Sequence, residues 1–129
     1  MRVKIIRIDG EFIYFTHDRM MCSHHFQDCC EWHYLDCDTM KDYNIGSHTG
    51  ERINIYEQEF EWEDKKGIGF IRVPGDGINI YDVEGNIYFI PGRGDNNGYY
   101  SDDLMLDFYE DDEIVARYDI TECQEWEAY

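Results

Sequence analysis

Turn-forming residues recur along this chain at intervals that leave room only for short extended runs. Asp9-Gly10, Lys65-Lys66-Gly67, Pro74-Gly75-Asp76-Gly77, Glu84-Gly85 and Glu110-Asp111-Asp112 are the clearest of them. Glycine takes positive φ at no steric cost and proline removes a backbone donor, so each of these ends whatever precedes it. The segments between are rich in Ile, Val, Tyr and Phe and tend to alternate apolar with polar. Side chains of a strand point to opposite faces in turn, so this alternation predicts half-buried strands. Residues 2–8, 11–16, 31–38, 52–62, 68–73, 78–83, 86–90, 99–109 and 114–120 read this way. Asp9-Gly10 and Glu84-Gly85 read as hairpin turns.

About eight short strands with little helix predict a mainly β fold, with a β-rich α+β arrangement as the variant. The expected form is an antiparallel sheet built as a sandwich or a partly open barrel. One short helical turn is expected within 38–50. The segment after Thr16 is expected to begin as a loop, 91–98 to be a Gly/Asn/Asp loop, and the acidic tail from Thr121 to fray. With 129 residues and 43% apolar content, the chain fits a single domain spanning 1–129.

Charge narrows the function. Asp and Glu number 29 against 11 Lys and Arg, a formal net charge of −18. Such a field repels phosphate backbones and anionic membrane surfaces, which argues against direct binding to nucleic acid or membrane. It suits a protein partner, and a basic one best. Aromatics make up 16% of the chain, which sets it apart from disordered acidic sequences. No apolar run is long enough for a transmembrane helix and residues 1–9 do not read as a signal peptide, so a cytoplasmic location is expected. The odd count of five cysteines fits reduced thiols there.

One stretch could carry chemistry. Residues 22–37 hold four of the five cysteines and three of the five histidines. Thiolate and imidazole are the ligands zinc prefers. Cys22, His24, His25, Cys29, Cys30, His33 and Cys37 are therefore candidate zinc ligands. Their spacing does not copy a known finger, and inert buried thiols are the common alternative. Nucleophilic catalysis would need Cys29 or Cys30 with His25 as base and Asp28 or Glu31 as orienter. A strongly negative surround raises a thiol's pKa, which works against a thiol-dependent hydrolase. On the strand expected at 31–38, Trp32 and Tyr34 share one face, and Glu31, His33, Leu35 and Cys37 the other.

Two acidic features have plainer readings. Gly94-Asp95-Asn96-Asn97-Gly98 with Asp102 and Asp103 is oxygen-rich but lacks the ligand spacing of a calcium loop, so a turn is expected. Glu57, Glu59, Glu61 and Glu63 alternate. That is the pattern of a solvated strand face, and a phosphate-mimicking stripe is its interaction reading.

His25-Phe26-Gln27-Asp28-Cys29-Cys30-Glu31, with Ile45-Gly46, Glu57, Tyr88-Phe89-Ile90-Pro91 and Asn97-Gly98-Tyr99-Tyr100-Ser101, resembles a bacterial and phage family known as a domain of unknown function. The resemblance implies a small β-rich domain of bacterial or phage origin and no particular activity. It gathers His25, Gln27, Asp28, Cys29, Cys30 and Glu31 into one motif and leaves Cys22, His24, His33 and Cys37 outside it. A structural role for the motif follows, with Gln27 or Asp28 bonding the loop backbone. The expected function is that of a small acidic accessory protein that binds another protein. A zinc-binding protein and a thiol-dependent hydrolase are the alternatives.

Overall fold

The hairpin turns found in the sequence are where the chain reverses, and the strands between them assemble into two sheets. The computed structural model describes residues 1–26, 32–40, 53–95 and 103–126. Its strands in chain order are β1 (Arg2–Asp9), β2 (Phe12–Phe15), β3 (Arg19–His24), β4 (Trp32–Leu35), β5 (Glu59–Glu63), β6 (Gly67–Ile68), β7 (Phe70–Val73), β8 (Gly77–Tyr81), β9 (Ile87–Asp95), β10 (Met105–Glu110), β11 (Glu113–Asp119) and β12 (Glu125–Trp126). One helical turn, α1 (Cys37–Met40), follows β4, and a 3₁₀ turn at Ile55–Glu57 precedes β5.

The larger sheet is antiparallel throughout, in the order β11-β10-β3-β2-β1-β5-β6. It curls until its edges nearly meet. The Tyr118 hydroxyl on β11 donates to the Lys66 carbonyl beside β6 at 3.0 Å, and the Phe70 and Tyr118 rings pack edge to face. The result is a nearly closed barrel with a second sheet beside it, as the strand pattern predicts. That second sheet runs β12-β9-β8-β7, and β4 pairs with the far half of β9.

Alternation explains the core. Val3 and Ile5 on β1, Ile13 and Phe15 on β2, Met21 on β3, Phe60 and Trp62 on β5 and Phe108 on β10 are all buried. Phe15 meets Phe60 and Trp62 edge to face at 6.1 and 5.8 Å, and Trp62 meets Phe108 at 5.5 Å. These offset contacts suit the ring quadrupoles. Ile78, Ile80, Tyr88 and Ile90 extend the core beneath the second sheet.

Several expectations shift. The first hairpin turns on Gly10-Glu11, one residue later than expected, because Asp9 still pairs with Phe12. The segment expected to begin as a loop holds β3, a central strand of the barrel. Its preceding turn places His17 and Asp18 at φ 64° and 55°, so no glycine or proline marked it. The run 68–73 breaks at Gly69, where the chain leaves one sheet for the other. Within the strand expected over 52–62, Ile55–Glu57 form a 3₁₀ turn capped by Asn54, and Arg52 lies outside the described residues. Pro91 to Gly94, expected as a loop, continue β9. A Cβ at Gly92 would strike the Cys123 carbonyl oxygen, so this glycine serves close packing rather than a turn. The tail does not fray over 121–126: Cys123 and Gln124 are buried, and β12 pairs in parallel with β9.

Candidate functional site

The cysteine- and histidine-rich stretch begins on β3 and resumes on β4, and the two strands are stitched by side chains. Ser23 is the hub. Its hydroxyl accepts from the Leu35 amide at 3.0 Å and donates to Glu11 at 3.3 Å. Past the end of β3, His25 turns back on the segment that enters β10. Its Nδ1 lies 2.6 Å from the Asp103 carbonyl oxygen and 3.2 Å from that residue's carboxylate. The Phe26 amide donates to the same carboxylate at 2.9 Å. At the other end, Trp32 pairs with Asp95 as β4 joins β9. The residues flanking 27–31 are thus bonded to those flanking 96–102 at both ends.

His33 points inward from β4, as alternation predicts, with Trp32 and Tyr34 outward. Its Nδ1 contacts Gln124 Oε1. The Gln124 amide nitrogen donates to the Thr121 carbonyl at 2.8 Å, which fixes the oxygen toward the imidazole. An amide or carbonyl oxygen can only accept, so both His25 and His33 carry their proton on Nδ1 in these contacts. Their rings lie 4.4 Å apart. Together with Glu11, His24, Trp32 and Tyr34 they line a cavity of about 170 Å³.

A larger cavity of about 450 Å³ adjoins it, lined by Asp9, Gly10, Glu11, Phe12, Tyr34, Asp36 and Asp38. Glu11 and Tyr34 line both hollows. Its wall is held by α1: the Cys37 and Asp38 amides donate to the Gly10 carbonyl at 3.0 and 3.3 Å. Asp36 caps that turn by accepting from the Thr39 amide at 3.1 Å and hydroxyl at 2.6 Å, and pairs with Arg93 at 3.3 Å. Burial works against its charge, but the Thr39 and Arg93 contacts outweigh it and hold the carboxyl below its usual range. Glu11 goes the other way. Burial raises its pKa despite the Ser23 bond and the nearby His24.

The described thiols are poor nucleophiles. Cys22, Cys37 and Cys123 are buried and unbridged. Burial, with Asp107 and Glu11 nearby, pushes Cys22 up to about 12. Burial also raises Cys37 and Cys123. Cys22 faces Asp107 across the β3–β10 ladder, away from Met21 and Phe108 in the barrel interior. Among the described residues no group of three or more His, Cys, Asp or Glu side chains is arranged to hold a metal ion. Gln27, Asp28, Cys29, Cys30 and Glu31 lie outside the described residues, as do Ile45-Gly46 and Asn97 to Ser101. Of the seven sequence-predicted ligands, the structure brings His24, His25 and His33 to one cavity and places Cys22 and Cys37 in buried positions.

The acidic stripe is real on β5, where Glu59, Glu61 and Glu63 face out while Phe60 and Trp62 face in. Glu57 belongs to the 3₁₀ turn instead. Arg2 pairs with Glu61 at 3.0 Å and lies 3.9 Å from Glu59, which blunts the stripe as a phosphate mimic. Of the oxygen-rich segment, Asp103 is engaged with His25 and Phe26, and 96–102 lie outside the described residues. Sequence reasoning missed Asp9, Phe12, Tyr34, Asp36 and Asp38 as members of one cavity. The outward position of Tyr34 and the acids beside Gly10 were its only signals.

No helix among the described residues is long and apolar enough to cross a membrane. Compared with protein-family models, curated proteins and solved structures, the chain matches none.

Proposed function

We propose that this protein is a small acidic accessory protein that binds a basic segment of another protein in the larger cavity. The observation that carries this reading is the composition of that cavity. Four carboxylates, from Asp9, Glu11, Asp36 and Asp38, surround a space of about 450 Å³ walled by the Phe12 and Tyr34 rings. Carboxylates attract a lysine or arginine head, and aromatic faces add cation–π attraction and cover the aliphatic stem. The net charge of −18 steers a basic partner toward the surface from a distance. The raised pKa values of the described thiols favour binding over thiol chemistry. The bacterial or phage setting rests on the family resemblance.

The test is calorimetric titration with a Lys/Arg-rich peptide of about ten residues. Affinity should fall at least about tenfold between 50 and 300 mM NaCl, as expected for exposed charge pairing. Asp9→Asn and Tyr34→Ala should each weaken it about three- to fivefold, in line with single exposed charge or cation–π contacts. No binding, or binding indifferent to salt and to both substitutions, would remove the reading.

A further inference from the structure

Strand β4 sets Trp32 and Tyr34 on one face, and both rings are open: Trp32 is 58% exposed and Tyr34 38%. The chain lays its own arginines over three of its other surface rings. Arg7 lies 4.3 Å over Tyr14, Arg72 5.2 Å over Phe70 and Arg117 5.6 Å over Phe26. Among the described residues no cation and no ring packs on Trp32 or Tyr34. Arg93 is the near candidate, since it pairs with Tyr34 across the β4–β9 ladder, but its guanidinium goes to Asp36 and Glu125, each at 3.3 Å. Acids surround the two rings. Tyr34 lines the larger cavity with Asp9, Asp36 and Asp38, Trp32 lines the smaller one, and Glu11 lines both. Open aromatic faces beside carboxylates are places for cations brought from outside.

We propose that the partner's basic segment is extended and carries its cations two residues apart, one held in the larger cavity against Tyr34 and the next on Trp32. This rests on the reading of that cavity as the seat of a basic segment, and adds the spacing of the charges. Charge chooses the class of partner: the larger cavity is lined by four carboxylates and no cation, in a chain at −18. The spacing follows from the backbone. Trp32 and Tyr34 are alternate residues of a strand, so their side chains stand about 6.6 Å apart on one face. An extended segment lying along β4 repeats its own side chains at the same interval. Its residues i and i+2 therefore meet both rings while i+1 points away. A helical segment brings i+3 and i+4 to one face instead. Trp is the best of the aromatic rings for a cation, and the planar guanidinium stacks on it, so arginine suits the second place.

Calorimetric titration at about 50 mM NaCl, where exposed charges are little screened, tests it with otherwise neutral peptides of about ten residues that carry two arginines. Peptides of equal composition place the arginines one, two or three positions apart. The pair two apart should bind about two- to fivefold more tightly than either other pair, the worth of one exposed cation–π contact. Leucine in place of the second arginine should lose that factor. In Trp32→Ala the three spacings should bind alike, and in Trp32→Phe part of the preference should return. Thermal melts confirm that both variants fold. If the wild type binds all three spacings alike, or favours another, the inference falls while the basic-segment reading stands. It falls too if the leucine peptide binds as tightly as the two-apart arginine pair, or if folded Trp32→Ala keeps the preference. If no peptide binds, both fall.

Discussion

Glu110 shows how one buried charge can tie a barrel together. It is 5% exposed and accepts from Trp62 Nε1 at 2.8 Å, the Lys65 amide at 2.9 Å and the Lys65 ammonium at 3.3 Å. Burial alone would raise its pKa, but these three donors win and lower it to about 2. The folded value lies below the ordinary one of 4.5, so the stabilisation is fully present above about 4.5 and is lost as pH falls toward 2. Glu110→Ala orphans the indole and the Lys65 amide, and should cost about 1–3 kcal/mol at neutral pH. Urea melts check this, and the gap between variant and wild type should narrow between pH 4.5 and 2. None of this was visible in the sequence. Glu110-Asp111-Asp112 reads as a polar turn, and the turn is correct, with Asp111 and Asp112 both at positive φ. Yet Glu110 faces inward, because β10 keeps its alternation through Leu106 and Phe108 to the last residue. The partner that makes this tolerable lies 48 positions away.

At the scale of elements, β9 is the instructive case. Its first half pairs with β8, and its second half lies between β4 and β12. Pro91, Gly92 and Gly94 make that second half look like a loop, since composition cannot tell a glycine that turns from one that lets another backbone come close. Gly92 is of the second kind, with the Cys123 carbonyl where its side chain would be. Gly92→Ala should cost about 1–3 kcal/mol by overpacking. It should also speed hydrogen exchange of the β12 amides before that of β8, which exchange mass spectrometry can resolve. The strands that were legible are those whose alternation runs between strong turns, such as β1, β10 and β11. β3 was hidden because its residues, Arg19-Met20-Met21-Cys22-Ser23-His24, carry no β-branched side chain. The histidine cavity was legible in part for the same reason: alternation placed His33, but nothing local pointed to Gln124 or Asp103.

For the whole molecule, net charge sets the main response to conditions. A folded chain at −18 repels itself, and its exposed ion pairs contribute little. Raising NaCl from 50 mM to 0.5 M should therefore raise Tm by about 3–5 °C, measured at low protein concentration so that self-association plays no part. A fall in Tm would mean that local pairs such as Arg117 with Asp107, bonded through two nitrogens at 2.7 and 2.8 Å, outweigh the overall repulsion. The order of strands across the barrel has a further consequence. β1, β2 and β3 form a local meander, but the next strand in the sheet is β10, whose residues 105–110 pair with 24–19. Closing so long a loop is slow. During synthesis the meander emerges early with β3 as a bare margin, its hydrogen-bonding groups unmet until a strand made more than eighty residues later arrives. The nascent chain is thus most exposed to clumping in the interval between its third strand and its tenth.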